Sequence, residues 1–296
     1  MRFKLPGFIL FVCSQLFSAS AAEAGISVTD NKGRVIDIAQ PARRVIALAP
    51  HITENLFAIG AGKYIKGVVS HSDYPAAALD IPVVGDSQSF NLEAIIALKP
   101  DLIVAWSGGN PALPLQRLEQ LGIPVYYSDP KVFTDIPYNL RALGQLLLRP
   151  EAETQAQMFE QRLASLKERF SNTTKLRVFY QLWHQPLMTV NHSQMIDRVI
   201  RLCGGENPFA GHREVIPRLG VESVLLTDPQ VILTGESAPD DWKQQWLSWP
   251  ELAASRYNQF YRLNEDLLYR PTPRLLEGAQ QMCEALQQAR EVVESH

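Results

Sequence analysis

Six histidines are the first residues to consider for chemistry, and two of them fall where predicted strands stop. His71 and His184 each sit in a predicted strand-end loop, from which each could face a cleft. Imidazole nitrogen is a good ligand for cobalt or iron, so the sharper reading of either ring is an axial contact to a bound metal centre. The plainer reading is a loop histidine that makes a hydrogen bond. His51 completes no zinc set, because neither His-x-x-x-His spacing nor an acidic histidine-rich loop is present. No metal site of the protein's own is expected. The chain also lacks Gly-x-Ser-x-Gly, a Walker loop, a dinucleotide fingerprint and His-Glu-x-x-His. Ser72 and Asp73 beside His71 are not a triad, since those groups must converge in space in fixed roles. No enzyme is expected.

The start of the chain says where these groups would work. Arg2 and Lys4 precede an apolar run over residues 8–17, and small residues follow up to Ala22. That is the build of a secretory signal peptide, with a run too short to span a bilayer. Its removal leaves 26 basic against 31 acidic residues, a net charge of −5, which disfavours a nucleic-acid partner. It also removes Cys13 and leaves Cys203 and Cys283. In an oxidising compartment such a pair is a disulfide candidate, worth about 4 kcal/mol for a loop of roughly 80 residues. Two separate buried thiols are the other reading.

The elements that must position the candidates repeat. A hairpin is predicted over residues 26–38, around Asn31-Lys32-Gly33. Apolar runs at residues 44–48, 65–69, 102–105 and 125–127 read as buried strands alternating with amphipathic helices. Residues 151–170 hold no Gly or Pro and carry Met158, Leu163, Leu166 and Phe170 at helical spacing. They predict one helix about 30 Å long. Strand and helix alternation then resumes at residue 177.

The fold class is therefore α/β, with two Rossmann-like lobes joined by one long bridging helix and a ligand cleft between them. The expected boundaries are residues 1–22 for the signal peptide, 23–147 for the first lobe, 148–172 for the bridge and 173–296 for the second lobe. NLEAIIALKPDLIVA at residues 91–105 matches GVESVLLTDPQVILT at residues 220–234, which suggests internal duplication. Glu93 and Glu222 then fall at equivalent places. A first-turn acid gains about 0.3–1 kcal/mol from the helix dipole, but that does not explain its recurrence on both lobes.

With these residues in hand the chain resembles the periplasmic binding proteins of the bridging-helix class, which serve ABC importers of metal chelates and corrinoids. Within that class it is most similar to the cobalamin-binding members. The carrying segments are residues 44–50 (RVIALAP), 67–75 (GVVSHSDYP), 91–100, 105–110 (AWSGGN), 203–207 (CGGEN) and 273–276 (PRLL). Together they cover nearly the whole mature chain.

The resemblance implies a monomeric periplasmic carrier that performs no chemistry and needs no cofactor. Its cargo would be cobalamin or a related corrinoid, passed to an inner-membrane BtuCD-type permease. It implies a Cys203–Cys283 disulfide, permease docking through Glu93 and Glu222, and ligand contacts from His71, Trp106, Asp266 and Arg270. His71 stands where the family has Tyr, and Ser87 and Ile216 stand where it has Trp. Phe90, Trp183 and Tyr269 are the aromatics available to replace that area, with His184 beside Trp183. Within the same class the alternative cargo is haem or a ferric siderophore, for which Arg270 and Arg274 are the only suggestive basic pair. Trp242 and Trp246, four apart, predict one helical face packed in a core.

Overall fold

The computed structural model describes residues 25–170 and 172–295, and the expected signal peptide lies outside them. The hairpin forms as predicted, with β1 (Ile26–Thr29) antiparallel to β2 (Val35–Ile38). Its turn is closed by the Asp30 carboxylate, which accepts from the Lys32 and Arg34 amides at 2.9 Å each.

The first sheet is made of β3 (Val45–Ala47), β4 (Ile65–Val68), β5 (Leu102–Ala105) and β6 (Val125–Tyr127). It runs β4-β3-β5-β6, parallel throughout. Every residue of β3, β5 and β6 is buried, as a parallel sheet covered on both faces requires. The helices of this lobe are α1 (Pro50–Ala58), α2 (Leu92–Ala97), α3 (Ala112–Gln120) and α4 (Asp135–Leu147).

The bridge is α5 (Glu151–Phe170), a continuous helix of 20 residues. Glu151 and Glu153 lie in its first turn and Lys167 and Arg169 in its last, each complementing the helix dipole. Its buried stripe is Ala152, Ala156, Phe159, Leu163, Leu166 and Phe170. Met158, expected in that stripe, is 57% exposed, and Phe159 takes the inward position. Arg141 of α4 forks onto Glu153 at 2.8 Å and Glu160 at 2.6 Å. The two helices cross so closely that a Cβ on Gly144 would lie 2.3 Å from that of Ala152.

The second lobe contains β7 (Leu176–Gln181), the small hairpin β8 (Trp183–His184) and β9 (Leu187–Met188), then α6 (Met195–Leu202), β10 (Gly205–Glu206) and α7 (Val221–Thr227). It continues with β11 (Val231–Gly235), α8 (Gln244–Leu247), α9 (Ala253–Arg256), β12 (Phe260–Leu263), α10 (Glu265–Tyr269) and α11 (Leu275–Glu294). Its sheet runs β10-β7-β11-β12, again all parallel. Cys203, just past α6, is disulfide-bonded to Cys283 of α11, which removes the separate-thiol reading. Trp242 and Trp246 are core residues, although α8 spans only residues 244–247 and Trp242 stands in the turn before it.

The duplication extends to atomic detail. Arg44 donates from Nε to the carbonyls of Leu98 (3.1 Å) and Lys99 (2.9 Å), closing the end of α2. Arg177 does the same for Thr227 (3.1 Å) and Asp228 (2.8 Å) at the end of α7. Lys99 and Asp228 both adopt positive φ, 48° and 43°, immediately before a proline. The Arg44 amide donates to Asp101 Oδ1 at 2.8 Å and the Arg177 amide to Gln230 Oε1 at 3.0 Å. The two lobes are copies of one unit, with the same strand order.

Candidate ligand cleft

Open parallel sheets take ligands outside the carboxyl ends of their strands. In the first lobe the loops at those ends are tied together by one buried side chain, Asn110. Its Nδ2 donates to the Leu48 carbonyl (2.9 Å) after β3 and to the Ser87 carbonyl (2.7 Å) beyond β4. Its Oδ1 accepts from the Trp106 amide (2.7 Å) after β5. Trp106 is fixed in turn, because its Nε1 donates to Asp129 Oδ1 at 3.0 Å. Its ring lies against Gly109, where a Cβ would come within 2.0 Å of a ring carbon. A glycine is needed there for the indole to lie flat.

Beneath the indole stands His51, 5% exposed, with ring centroids 6.0 Å apart in an edge-on arrangement. Burial pushes its pKa down to about 4, and its Nε2 is buried without a hydrogen-bond partner. His71, in the loop after β4, is exposed and adopts φ 65°.

The wall from the second lobe is aromatic. Trp183 is 51% exposed, with its ring 5.7 Å from that of His184. Tyr269 is 43% exposed and joins both in lining a cavity of about 80 Å³, together with Gln181, Thr234 and Ser237. Two of the three aromatics expected to replace lost area are thus brought together. The third, Phe90, packs instead on the core of the first lobe. Ser87 is half-buried with its carbonyl held by Asn110, and Ile216 is exposed.

Where the lobes meet, Arg270 is engaged by three carboxylates. It reaches Glu54 at 2.9 Å, Asp73 at 2.7 Å and Asp266 at 2.9 Å. Glu54 belongs to α1 of the other lobe, is 4% exposed, and also accepts from Thr272 (3.2 Å) and Arg274 (3.3 Å). Asn55 adds a bond to the Pro271 carbonyl at 3.3 Å, and the Arg274 guanidinium lies 3.5 Å over the Tyr74 ring. Burial works against the Arg270 charge, yet the bonds to Asp73 and Glu54 outweigh it and raise its pKa above the ordinary value. The Arg270 bond holds the Asp73 carboxyl below its ordinary value.

The sequence reading missed Glu54, Asp73 and Thr272. The one signal available was a lone carboxylate among the apolar residues of α1. Behind this junction, α1, α5 and α11 enclose a second cavity of about 420 Å³, lined by Phe57, Tyr74, Met158, Phe159 and Arg274 among others.

Glu93 and Glu222 are exposed in the first turns of α2 and α7, and no ion pair among the described residues uses either. No cluster of three His, Cys, Asp or Glu suited to a metal ion occurs among the described residues. No helix among them is long and apolar enough to cross a membrane.

The pattern of the periplasmic binding protein family matches residues 45–267. The chain belongs to that family. A vitamin B12-binding protein of Vibrio cholerae is 41% identical over 245 residues, which cover 82% of this chain and 88% of the relative. The crystal structure of the periplasmic vitamin B12 binding protein BtuF of Vibrio cholerae aligns with a TM-score of 0.79 at 40% identity. That alignment covers 84% of this chain and 98% of the other. The apo form of the periplasmic heme-binding protein RhuT from Roseiflexus sp. RS-1 aligns with a TM-score of 0.73 at 23% identity, over 84% and 99% of the two chains. At that identity the likeness is one of fold alone.

Proposed function

We propose that the chain is a periplasmic carrier that captures cobalamin or a related corrinoid and delivers it to an inner-membrane ABC importer. The observation that carries this reading is the match at 40% identity to a vitamin B12 binding structure over 98% of that chain. A corrin ring is broad and flat, and is held mainly by aromatic contact with a few polar groups on its amide arms. Trp106 supplies one fixed aromatic surface in the first lobe, and Trp183 and Tyr269 supply exposed aromatic area in the second. His71, His184 and Asp266 are exposed polar side chains that would serve the amide arms. Arg270 keeps donors for the ligand only at the margin of its three carboxylates, and its larger part is to set the spacing of the lobes. Cobalamin is cargo, and the carrier needs no cofactor and catalyses nothing.

Delivery follows from the duplicated surface. Glu93 and Glu222 form a pair of acids on a pseudo-twofold face, which suits a BtuCD-type permease built as a twofold dimer with basic pockets. Such charge complementarity governs encounter rate and register. One carrier monomer, exported by its signal peptide, docks at a time. A ferric siderophore fits less well, because Arg270 and Arg274 are both committed to Glu54.

The test is co-elution of the purified exported protein with cyanocobalamin on gel filtration, followed by the corrin absorbance. Stoichiometric co-elution is expected. Co-elution with haemin and not with cyanocobalamin would replace the proposal with the haem reading.

A further inference from the structure

Beside the last turn of α5 lies a further cavity of about 540 Å³, which shares no lining residue with the two described above. All three parts of the molecule build it. The first lobe contributes Val132, Phe133 and Thr134, from the segment that leads into α4. The bridge contributes Lys167, and α6 of the second lobe contributes Arg198, Arg201 and Leu202. Three cations and no carboxylate line this space, in a chain with 31 acidic residues to 28 basic.

The two guanidinium groups are held by bonds that leave donors free. Arg198 and Arg201 are three apart on α6, so they share a face. Arg198 is half-buried, and its Nε donates across the lobes to the Lys131 carbonyl at 2.7 Å. No bond among the described residues uses its Nη donors. One Nη of Arg201 pairs with the buried Asp197 carboxylate at 2.8 Å, and its other donors have no partner among the described residues. Lys167 is exposed and has neither bond nor ion pair among them. The neighbouring acids do not compensate. Asp135 accepts from the Lys131 and Val132 amides at 2.7 and 2.9 Å. Glu168 lies about 100° round the helix from Lys167 and does not line the cavity.

A phosphomonoester carries close to two negative charges and three acceptor oxygens, and guanidinium forks match such oxygens in pairs. A carboxylate has one charge and two oxygens, too few for two forks and an ammonium. Val132, Phe133 and Leu202 supply apolar lining beside the charges, and the volume is that of a small-ligand site. We infer that this groove binds a phosphomonoester carried on an apolar body, as a soluble ester or as the headgroup of a phosphatidic acid. The occupant touches both lobes and the bridge, so it braces their arrangement whichever cargo the cleft takes.

The exported protein is titrated calorimetrically at low salt with phenyl phosphate, benzoate and inorganic phosphate. Flotation with phosphatidic acid or phosphatidylcholine vesicles tests the lipid source. The variants are Arg198→Gln and Lys167→Gln, the second at an exposed, unbonded position where folding is not at stake. Phenyl phosphate should bind at least about tenfold more tightly than benzoate or inorganic phosphate and raise Tm. Each variant should weaken it about tenfold, and saturating cyanocobalamin should leave it unchanged. Phenyl phosphate binding without flotation assigns a soluble ester. Flotation on phosphatidic acid alone, lost in both variants, assigns the lipid.

Four results would overturn the inference. One is that neither phenyl phosphate nor phosphatidic acid binds. Another is benzoate binding as tightly as phenyl phosphate. A third is binding that survives both variants. The last is displacement of phenyl phosphate by cyanocobalamin, which puts the probe in the cleft.

Discussion

Replacing Glu54 should loosen the seam between the lobes. The carboxylate is 4% exposed and receives Arg270, Thr272 and Arg274 from the opposite lobe. Removing one partner of a buried ion pair costs about 3–5 kcal/mol when the other charge is left bare. Here Arg270 retains Asp73 and Asp266, both half-exposed carboxylates, so the cost is reduced. Glu54→Gln also keeps an acceptor for Thr272 and one guanidinium. We expect a loss of about 2 kcal/mol for Glu54→Gln and about 3 kcal/mol for Glu54→Ala, which adds a cavity. In a chain of this size about 2 kcal/mol corresponds to a fall in Tm of roughly 4–8 °C. Calorimetry reads that change, and a cycle with Arg274→Gln should return a coupling of about 1 kcal/mol. If both Glu54 variants unfold within about 0.5 kcal/mol of the parent, the range of a neutral surface change, the junction is not a structural clamp.

Three further outcomes follow from the same geometry. Gly109→Ala places a methyl 2.0 Å from the Trp106 ring and forces the indole off its bed. Cobalamin affinity measured by fluorescence quenching should fall at least about tenfold. His51, held near pH 4 by burial, stays neutral in the folded chain while the unfolded chain protonates it below about pH 6.5. Stability should therefore fall as pH drops from about 6.5 to 4 and level off below, by about 3 kcal/mol in all, and urea titrations of His51→Phe should lack that component. The double variant Cys203→Ser, Cys283→Ser opens a link between residues 80 apart and should cost about 2–5 kcal/mol in urea unfolding.

The long bridge could be read because no Gly or Pro interrupts residues 151–170, and the strands because short β-branched runs end at turn residues. The inward face was harder. Met158 and Phe159 are adjacent apolar residues about 100° apart on the helix, and periodicity alone did not choose between them. Spacing likewise put Trp242 and Trp246 on a common helix, whereas only Trp246 lies in α8 and the preceding turn carries Trp242 into the same core. The duplicated Glu motif was visible, but Arg44 and Arg177, which close both helices, lie some 47 and 43 residues ahead of the motif they serve. No local window joins them.

The site divided along the same line. Trp106, His71 and the Trp183–His184 pair belong to strand ends, which chain order alone locates. Glu54 and Arg270 lie 216 residues apart and meet only because α1 of the first lobe packs against the segment that follows α10 in the second. Asp266, four residues before Arg270, is the local sign that the arginine is partnered, and it says nothing of Glu54 or Asp73.

Isothermal titration of the exported protein with cyanocobalamin, repeated with haemin as competitor, tests the central claim most directly. The account predicts saturation at one corrinoid per chain, undisturbed by equimolar haemin and weakened in the double variant Trp106→Ala, Trp183→Ala. Saturable binding of haemin with no heat from cyanocobalamin would contradict it.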